Sequence, residues 1–133
     1  MDPSNPSVLV VEDDREINSL IGAYAEICGL NYRHAYNGAA ALRSAAQTTP
    51  QVVVLDLMLP DIDGFEVCKQ LRAKGETANT PIIILSALGG DEHRAKGKEC
   101  GANVHLTKPF NPDEFTQVLT EQANSAANGN GKS

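Results

Sequence analysis

Short runs of apolar, mostly β-branched residues alternate along this chain with segments of helical periodicity. The strand-like runs cover residues 8–11, 32–36, 52–55, 82–85 and 104–106. Between them, apolar residues recur every three or four positions, as they do on one face of a helix. Because most of these runs are apolar throughout, they predict strands buried on both faces of a parallel sheet, with helices covering each side.

The helix boundaries follow from capping residues. Asp13 is the predicted N-cap of the first helix, because Glu16 follows it at capping-box spacing, and Gly29 is the predicted end. The predicted apolar face of this helix consists of Ile17, Leu20, Ile21, Tyr24, Ile27 and Cys28. Further helices are predicted over 39–47, from 64, over 91–100 and from 112 to about 122.

Five strand–helix units in 133 residues predict a single α/β domain. The expected architecture is a five-stranded parallel sheet, doubly wound as (βα)5 in the flavodoxin-like order 2-1-3-4-5. We predict a flexible N-terminus over 1–6, the domain over 7–123 and a disordered tail over 124–133, where the residues are small and polar.

Composition narrows the functional classes. A net charge of −6 argues against a nucleic-acid-binding surface, and no apolar run is long enough to cross a bilayer. The first residues lack the basic and apolar regions of a secretory signal. Three widely spaced cysteines suit a reducing compartment, where the thiols act as small core residues. These features predict a cytoplasmic protein with no membrane insertion.

Polar residues cluster at the predicted carboxyl ends of the strands. Glu12 and Asp13 follow the first strand, and Asp56, Ser86 and Lys108 end or follow the third, fourth and fifth. Function gathers at this edge in open parallel sheets. Since the first and third strands are neighbours in the predicted order, we expect Asp13 and Asp56 to converge.

Converging carboxylates indicate phosphoryl chemistry assisted by a cation. Carboxylates near one point stay ionised when a cation joins them, and oxygen ligands suit Mg²⁺. Asp56 can then act as a nucleophile toward phosphorus and form an aspartyl phosphate. The ammonium of Lys108 and the hydroxyl of Ser86 can contact phosphoryl oxygens. Catalysis of this kind consists of positioning and charge neutralisation.

Four stretches in this order, LVVEDD, VVLDLMLPDIDGFEV, PIIILSA and GANVHLTKPF, resemble the receiver domain of two-component response regulators. The resemblance covers about residues 7–123, and the chain is similar to single-domain regulators. It implies that Asp56 is the phosphoacceptor. It also implies that Asp13 binds Mg²⁺ directly, Glu12 through water, and that the backbone carbonyl of Met58 completes the site.

The resemblance also implies a conformational switch. Ser86 stands where the family has its switch hydroxyl, and Lys108, expected in a cis peptide with Pro109, where it has its lysine. His105 occupies the position at which the family usually carries Tyr or Phe. We interpret His105 as a tolerated replacement, with a weaker or pH-sensitive switch as a hypothesis. Nearby, Asp14, Asp61 and Asp63 are assigned helix-terminus and turn roles.

The implied function is a phosphoacceptor signalling switch and not a conventional enzyme. A histidine kinase or phosphotransfer protein would donate the phosphoryl group to Asp56 and change the helix 4–strand 5–helix 5 face. The expected state is a monomer or a weak phosphorylation-dependent dimer. The alternative is a receiver-like interaction module that works without phosphorylation. A flavin-binding module is disfavoured by the acidic stretch EDDRE, and a haloacid-dehalogenase-type phosphatase by Met58, where a second Asp is needed.

Overall fold

A five-stranded parallel sheet forms the centre of the molecule. The computed structural model describes residues 7–86 and 98–132, with side chains described up to residue 125. The strands, paired in the order β2-β1-β3-β4-β5, are β1 (Ser7–Val11), β2 (Asn31–Ala35), β3 (Val52–Asp56), β4 (Ile82–Ser86) and β5 (Val104–Thr107). Every neighbouring pair is parallel. The predicted fold class and strand order are therefore confirmed.

Helices connect the strands. They are α1 (Arg15–Ile27), α2 (Gly38–Gln47), α3 (Gly64–Ala73), α4, of which residues 98–100 are described, and α5 (Pro112–Lys132). A 3₁₀ turn, Gly75–Thr77, follows α3. The predicted flexible segment 1–6 and most of the predicted helix over 91–100 lie outside the described residues. Across the described residues, no helix combines the length and apolar character needed to cross a membrane.

The sheet has an apolar core on each face. In β3, Val53 and Leu55 pack in a cluster with residues of α2 and α3, whereas Val52 and Val54 pack with residues of α1 and α5. Every residue of β3 is buried. This double burial is the physical reason that the central strands are apolar throughout instead of alternating.

The N-cap of α1 is Asp14, so the predicted N-cap at Asp13 is wrong by one residue. The Asp14 Oδ1 atom accepts hydrogen bonds from the backbone N–H groups of Glu16 at 3.0 Å and Ile17 at 3.1 Å. An N-cap side chain is occupied by hydrogen bonds to the backbone of its own helix. Since Asp14 has this role, the exposed side chain of Asp13 does not cap α1.

The buried face of α1 also differs from the prediction. It consists of Asn18, Ile21, Gly22 and Ala25. Leu20 and Ile27, which the periodicity assigned to the core, are 49% and 78% exposed. The helix ends as predicted, since Gly29 adopts a φ of 84°.

The last helix, α5, continues to Lys132, beyond the predicted end near Gln122. Phe115, Leu119 and Ala123 are four residues apart and are buried together in one apolar cluster. The burial of Ala123 therefore extends the packed part of α5 beyond the predicted end near Gln122.

Candidate functional site

The strand register brings the predicted site residues to one edge of the sheet. The last aligned pairs are Val11 with Leu55, Asp56 with Leu85 and Ser86 with Thr107. Asp56 and Ser86 are thus terminal strand residues, and Glu12 and Lys108 directly follow their strands. The backbone N–H of Lys108 donates to the Ser86 carbonyl at 2.8 Å and extends the ladder by one bond.

Three carboxylates meet at this edge. One carboxylate oxygen from each of Glu12, Asp13 and Asp56 lies within 4.8 Å of the other two. Glu12 and Asp56 are buried, being 2% and 6% exposed, whereas Asp13 is exposed. The predicted convergence of Asp13 and Asp56 is therefore confirmed.

The Lys108 ammonium lies among these acids. Its Nζ atom is 2.7 Å from Glu12 Oε1 and 3.4 Å from Asp56 Oδ2. Burial opposes the charged form of Lys108, but the hydrogen bond to Glu12 and the charges of Asp56 and Glu12 outweigh it and raise the pKa of the amine. Lys108 therefore remains a cation at this edge.

One ammonium does not compensate three carboxylates. The pKa of Asp13 is raised, first by its hydrogen bond with Glu12, then by desolvation and the charge of Glu12. Neighbouring negative charges raise the pKa of a carboxyl group, and a cation bound beside it would lower the pKa again. Hard oxygen donors in this arrangement fit Mg²⁺, which needs only one or two carboxylates together with water.

The Asp56 side chain is oriented by its surroundings. Its Oδ1 atom accepts from the backbone N–H of Met58 at 3.2 Å, while Oδ2 faces Lys108. The start of α3 packs tightly against this strand end: a Cβ on Gly64 would lie 2.7 Å from the Asp56 carbonyl oxygen and 2.6 Å from the Leu57 Cα. Glycine at this position thus permits the close approach of α3 to the site.

The loop after Asp56 is held by two further acids. Asp63 is the N-cap of α3, with Oδ1 accepting from Phe65 N–H at 2.7 Å. Asp61 reaches a different helix: its carboxylate accepts from the N–H groups of Gly38 at 2.8 Å and Ala39 at 3.0 Å, at the start of α2. These contacts support the structural roles assigned to both residues.

The order of these groups matches a known family. A sequence model of the response regulator receiver domain matches residues 8–120. The chain belongs to this family. Receiver domains bind Mg²⁺ at an acidic pocket, and in this chain Glu12, Asp13 and Asp56 form an acidic cluster. Membership supports a phosphoacceptor role in two-component signalling and implies a histidine kinase partner.

Two curated relatives and one solved structure illustrate the likeness of this receiver. It is 38% identical over 110 residues to the DNA-binding dual master transcriptional regulator RpaA of Synechocystis sp., an alignment covering 83% of this chain and 46% of that protein. It is 40% identical over 110 residues to the alkaline phosphatase synthesis transcriptional regulatory protein PhoP of Bacillus subtilis, covering 83% and 45%. The receiver domain of the Francisella response regulator 1452 superposes with a TM-score of 0.83 at 37% identity, covering 90% of this chain and 98% of that one. The chain thus spans about half the length of the curated relatives that it matches.

One residue that positions the receiver site was missed from the sequence. Asn18 of α1 is fully buried, and its Nδ2 atom lies 3.0 Å from the Glu12 carbonyl and 3.2 Å from those of Val10 and Ala35. The Tyr32 hydroxyl donates to its Oδ1 atom. Asn18 therefore fixes the backbone at the carboxyl end of β1. The sequence does carry a signal for this role. Asn18 is a polar residue at helical spacing from Ile21 and Gly22, and therefore lies on the buried face of α1.

The remaining predicted positions lie around the acidic pocket. Ser86 is fully buried at the end of β4, and the Lys108–Pro109 peptide is cis, as predicted. The Met58 side chain is 60% exposed beside the pocket. His105 is half-buried in β5, opposite Ile84, and both its ring nitrogens are shielded from solvent.

Proposed function

We propose that this receiver accepts a phosphoryl group on Asp56 from a phosphohistidine of a histidine kinase or phosphotransfer protein. The observation that carries the proposal is the position of Asp56, a buried carboxylate between the Lys108 ammonium and the acids Glu12 and Asp13. Burying a carboxylate at the end of an apolar strand costs free energy unless a cation or a hydrogen-bond donor compensates its charge, as Lys108 and the Met58 N–H do here.

The proposed transfer is a displacement at phosphorus. A carboxylate oxygen of Asp56 forms the new P–O bond, the P–N bond of the donor phosphohistidine breaks, and the imidazole keeps the bonding electron pair and takes up a proton. Within the receiver, Lys108 already contacts Asp56 Oδ2 and is placed to contact an oxygen of the incoming group. The Met58 N–H holds the other carboxylate oxygen in place.

The proposed metal ligands are the carboxylates of Glu12, Asp13 and Asp56 and the backbone carbonyl of Met58. Mg²⁺ bound there would offset the repulsion between the phosphoryl oxygens and the acids of the pocket. We propose that Asp13 and Asp56 bind it directly and that Glu12 acts through water. The exposure of Asp13 and the burial of Glu12 behind the Lys108 contact favour this division.

We propose that phosphorylation is read out by Ser86, Lys108 and His105. Ser86 and Lys108 draw toward the phosphoryl oxygens, and His105 adjusts within β5. The resulting population shift changes the face formed by α4, β5 and α5 and so changes partner binding. The backbone bond between Lys108 and Ser86 supports the proposal, because it makes movement at the end of β4 and movement at the end of β5 interdependent.

The proposed role is signalling, with catalysis limited to the receiver's own phosphorylation and dephosphorylation. Three free cysteines support a cytoplasmic location. The printed name of the Synechocystis relative describes DNA binding by a protein of which this chain matches 46%. With a net charge of −6, we propose no direct nucleic-acid binding by the residues of this chain. A monomer or a weak phosphorylation-dependent dimer is the proposed assembly.

The experiment that tests the switch uses beryllofluoride, a phosphoryl mimic. Backbone NMR spectra of the receiver are recorded with and without beryllofluoride and Mg²⁺, for wild type and for Asp56→Asn. We expect shifts at β5 and α5 that require Mg²⁺ and that are lost in Asp56→Asn. Shifts that persist in Asp56→Asn, or no shifts in wild type, would favour the phosphorylation-independent alternative instead.

A further inference from the structure

Two of the three thiols of this chain lie together, away from the acidic pocket. Cys68 is in the middle of α3 and Cys100 is at the end of α4, and both are free. The Cys68 Sγ atom lies 3.2 Å from the Cys100 carbonyl oxygen. The Cys68 and Cys100 side chains are also near enough to shift one another's pKa. Two elements far apart in sequence therefore present their thiols to one another.

The two thiols differ in access to solvent. Cys68 is fully buried, whereas Cys100 is 6% exposed and lines an open groove of about 370 Å³. The groove runs between α3 and the end of α4. The other lining residues, among those that the structure describes, are Asp63, Phe65, Glu66, Lys69 and Glu99. Of the two cysteines, Cys100 is therefore the one that borders the groove.

The surroundings of Cys100 favour its thiolate. The hydrogen bond from Cys68 is the largest influence and lowers the pKa of Cys100 to about 7, against the opposing effect of burial. The charge of Arg72 acts in the same direction. Arg72 is held in place, since its Nε donates to the Gly101 carbonyl at 2.9 Å and its Nη2 donates to Asn103 Oδ1 at 2.8 Å. A thiolate next to a fixed guanidinium is the reactive form of cysteine.

We propose that Cys100 and Cys68 form a peroxide-sensitive dithiol, in which Cys100 is oxidised first and Cys68 resolves it to a disulfide. The proposed disulfide lies on the face of the sheet that α3 and α4 cover. It uses none of the residues of the acidic pocket.

The proposed oxidation takes place in two balanced steps. The Cys100 thiolate attacks one oxygen of hydrogen peroxide, the O–O bond breaks, and hydroxide leaves as Cys100 becomes a sulfenic acid. The Cys68 sulfur then attacks the Cys100 sulfur, the S–O bond breaks, and the Cys68 proton and the departing hydroxide form water. The product is a disulfide that joins α3 to the end of α4, and peroxide is the species reduced.

The charges of the groove select the oxidant. Among the residues that the structure describes, Asp63, Glu66 and Glu99 contribute three carboxylates to the lining, and Lys69 contributes one ammonium. Anionic disulfides such as oxidised glutathione are repelled by this net negative charge, whereas neutral hydrogen peroxide is not. The groove therefore favours peroxide over the glutathione pool.

The test is mass spectrometry of the 133-residue chain after treatment with hydrogen peroxide. We expect wild type and Cys28→Ser to lose the mass of two hydrogen atoms and to yield a linked peptide pair containing Cys68 and Cys100. Oxidised glutathione at the same concentration is expected to produce this product more slowly. A linked pair containing Cys28, or no intramolecular disulfide in wild type, would overturn the proposal.

The order of the two thiols is tested with single variants. In Cys68→Ala, peroxide is expected to leave a sulfenic acid on Cys100 that dimedone labels, and in Cys100→Ala neither a label on Cys68 nor a disulfide is expected. Dimedone labelling of Cys68 in Cys100→Ala would reverse the assignment. Since both residues are buried, circular dichroism spectra establish that each variant is folded, and the wild-type peptide map tests the pair without any substitution.

Discussion

The Nζ atom of Lys108 lies 2.7 Å from Oε1 of Glu12, across the carboxyl edge of the sheet from β5 to β1. The contact spans the ends of β3 and β4, which lie between these strands. It places an ammonium among the acids that are proposed to hold a metal. Lys108 and Mg²⁺ therefore compete for the same negative charge.

Removing this ammonium is expected to strengthen Mg²⁺ binding. In Lys108→Met, the acids Glu12 and Asp56 lose a partly buried counter-charge, and a gain of about tenfold in affinity, roughly 1.4 kcal/mol, is expected. Isothermal titration calorimetry with MgCl₂ measures it. The matched control is Lys74→Met, which removes an exposed ammonium outside the pocket and is expected to leave the affinity unchanged. An equal or weaker affinity in Lys108→Met would contradict the competition.

Asn18 is expected to be a major contributor to stability. In Asn18→Ala, the Glu12 and Val10 carbonyls and the Tyr32 hydroxyl lose a buried partner, and the free energy of unfolding is expected to fall by about 2 kcal/mol. Urea unfolding followed by circular dichroism measures the change. Mg²⁺ affinity is expected to fall as well, because the end of β1 loses its anchor.

The control for Asn18 is Glu26→Ala on the exposed side of the same helix. It is expected to change the free energy of unfolding by less than about 0.5 kcal/mol. If the two variants lose the same stability, the buried hydrogen bonds of Asn18 are not the cause.

A methyl group at Gly64 is expected to disturb the end of β3, where Asp56 lies. In Gly64→Ala, the new Cβ would lie 2.6 Å from the backbone of Leu57, so α3 or the end of β3 has to shift. We expect a loss of about 1–3 kcal/mol in the free energy of unfolding and slower phosphorylation. Gly75→Ala is the matched control, since no atom lies within 4 Å of its added Cβ. Gly75→Ala is expected to be neutral or slightly stabilising. Equal effects at both glycines would rule out the close approach as the cause.

Asp61 is expected to make stability depend on pH. Hydrogen bonds from the Ala39 and Gly38 N–H groups lower the pKa of Asp61 below its usual value of 3.8. A depressed folded-state pKa contributes stability above the unfolded pKa, and this contribution is lost as the pH falls through the folded value. Wild type is therefore expected to be more stable than Asp61→Asn at about pH 7 and to approach it as the pH is lowered below the usual carboxyl value of 3.8. Thermal unfolding across this range measures the difference, and a difference independent of pH would contradict the charged contact.

The sequence predicted the fold and the acidic pocket because both depend on local patterns. Strand runs that end in Asp56 or precede Glu12 are visible without a structure, and the strand order places them at one edge. The start of α1 was misplaced by one residue, since Asp13 and Asp14 both have capping chemistry and only the backbone geometry selects Asp14.

The contacts across the chain could not be predicted from local pattern. The pairing of Cys68 with Cys100 and the contact of Asp61 with Gly38 depend on how α2, α3 and α4 pack on the sheet. The role of Asn18 was hidden for a related reason. Hydropathy assigns a polar residue to the surface, whereas two carbonyls at the end of β1 and one at the end of β2 provide a buried polar environment.

The central claim is that Asp56 is the phosphoacceptor and that its modification requires Mg²⁺. The most direct measurement is intact-mass and peptide-level mass spectrometry after incubation with acetyl phosphate, with and without Mg²⁺, for wild type and Asp56→Ala. We predict one added phosphoryl group on Asp56 of wild type in the presence of Mg²⁺, and none without Mg²⁺ or in Asp56→Ala. A phosphoryl group on another residue, or an unmodified wild type under these conditions, would contradict the account.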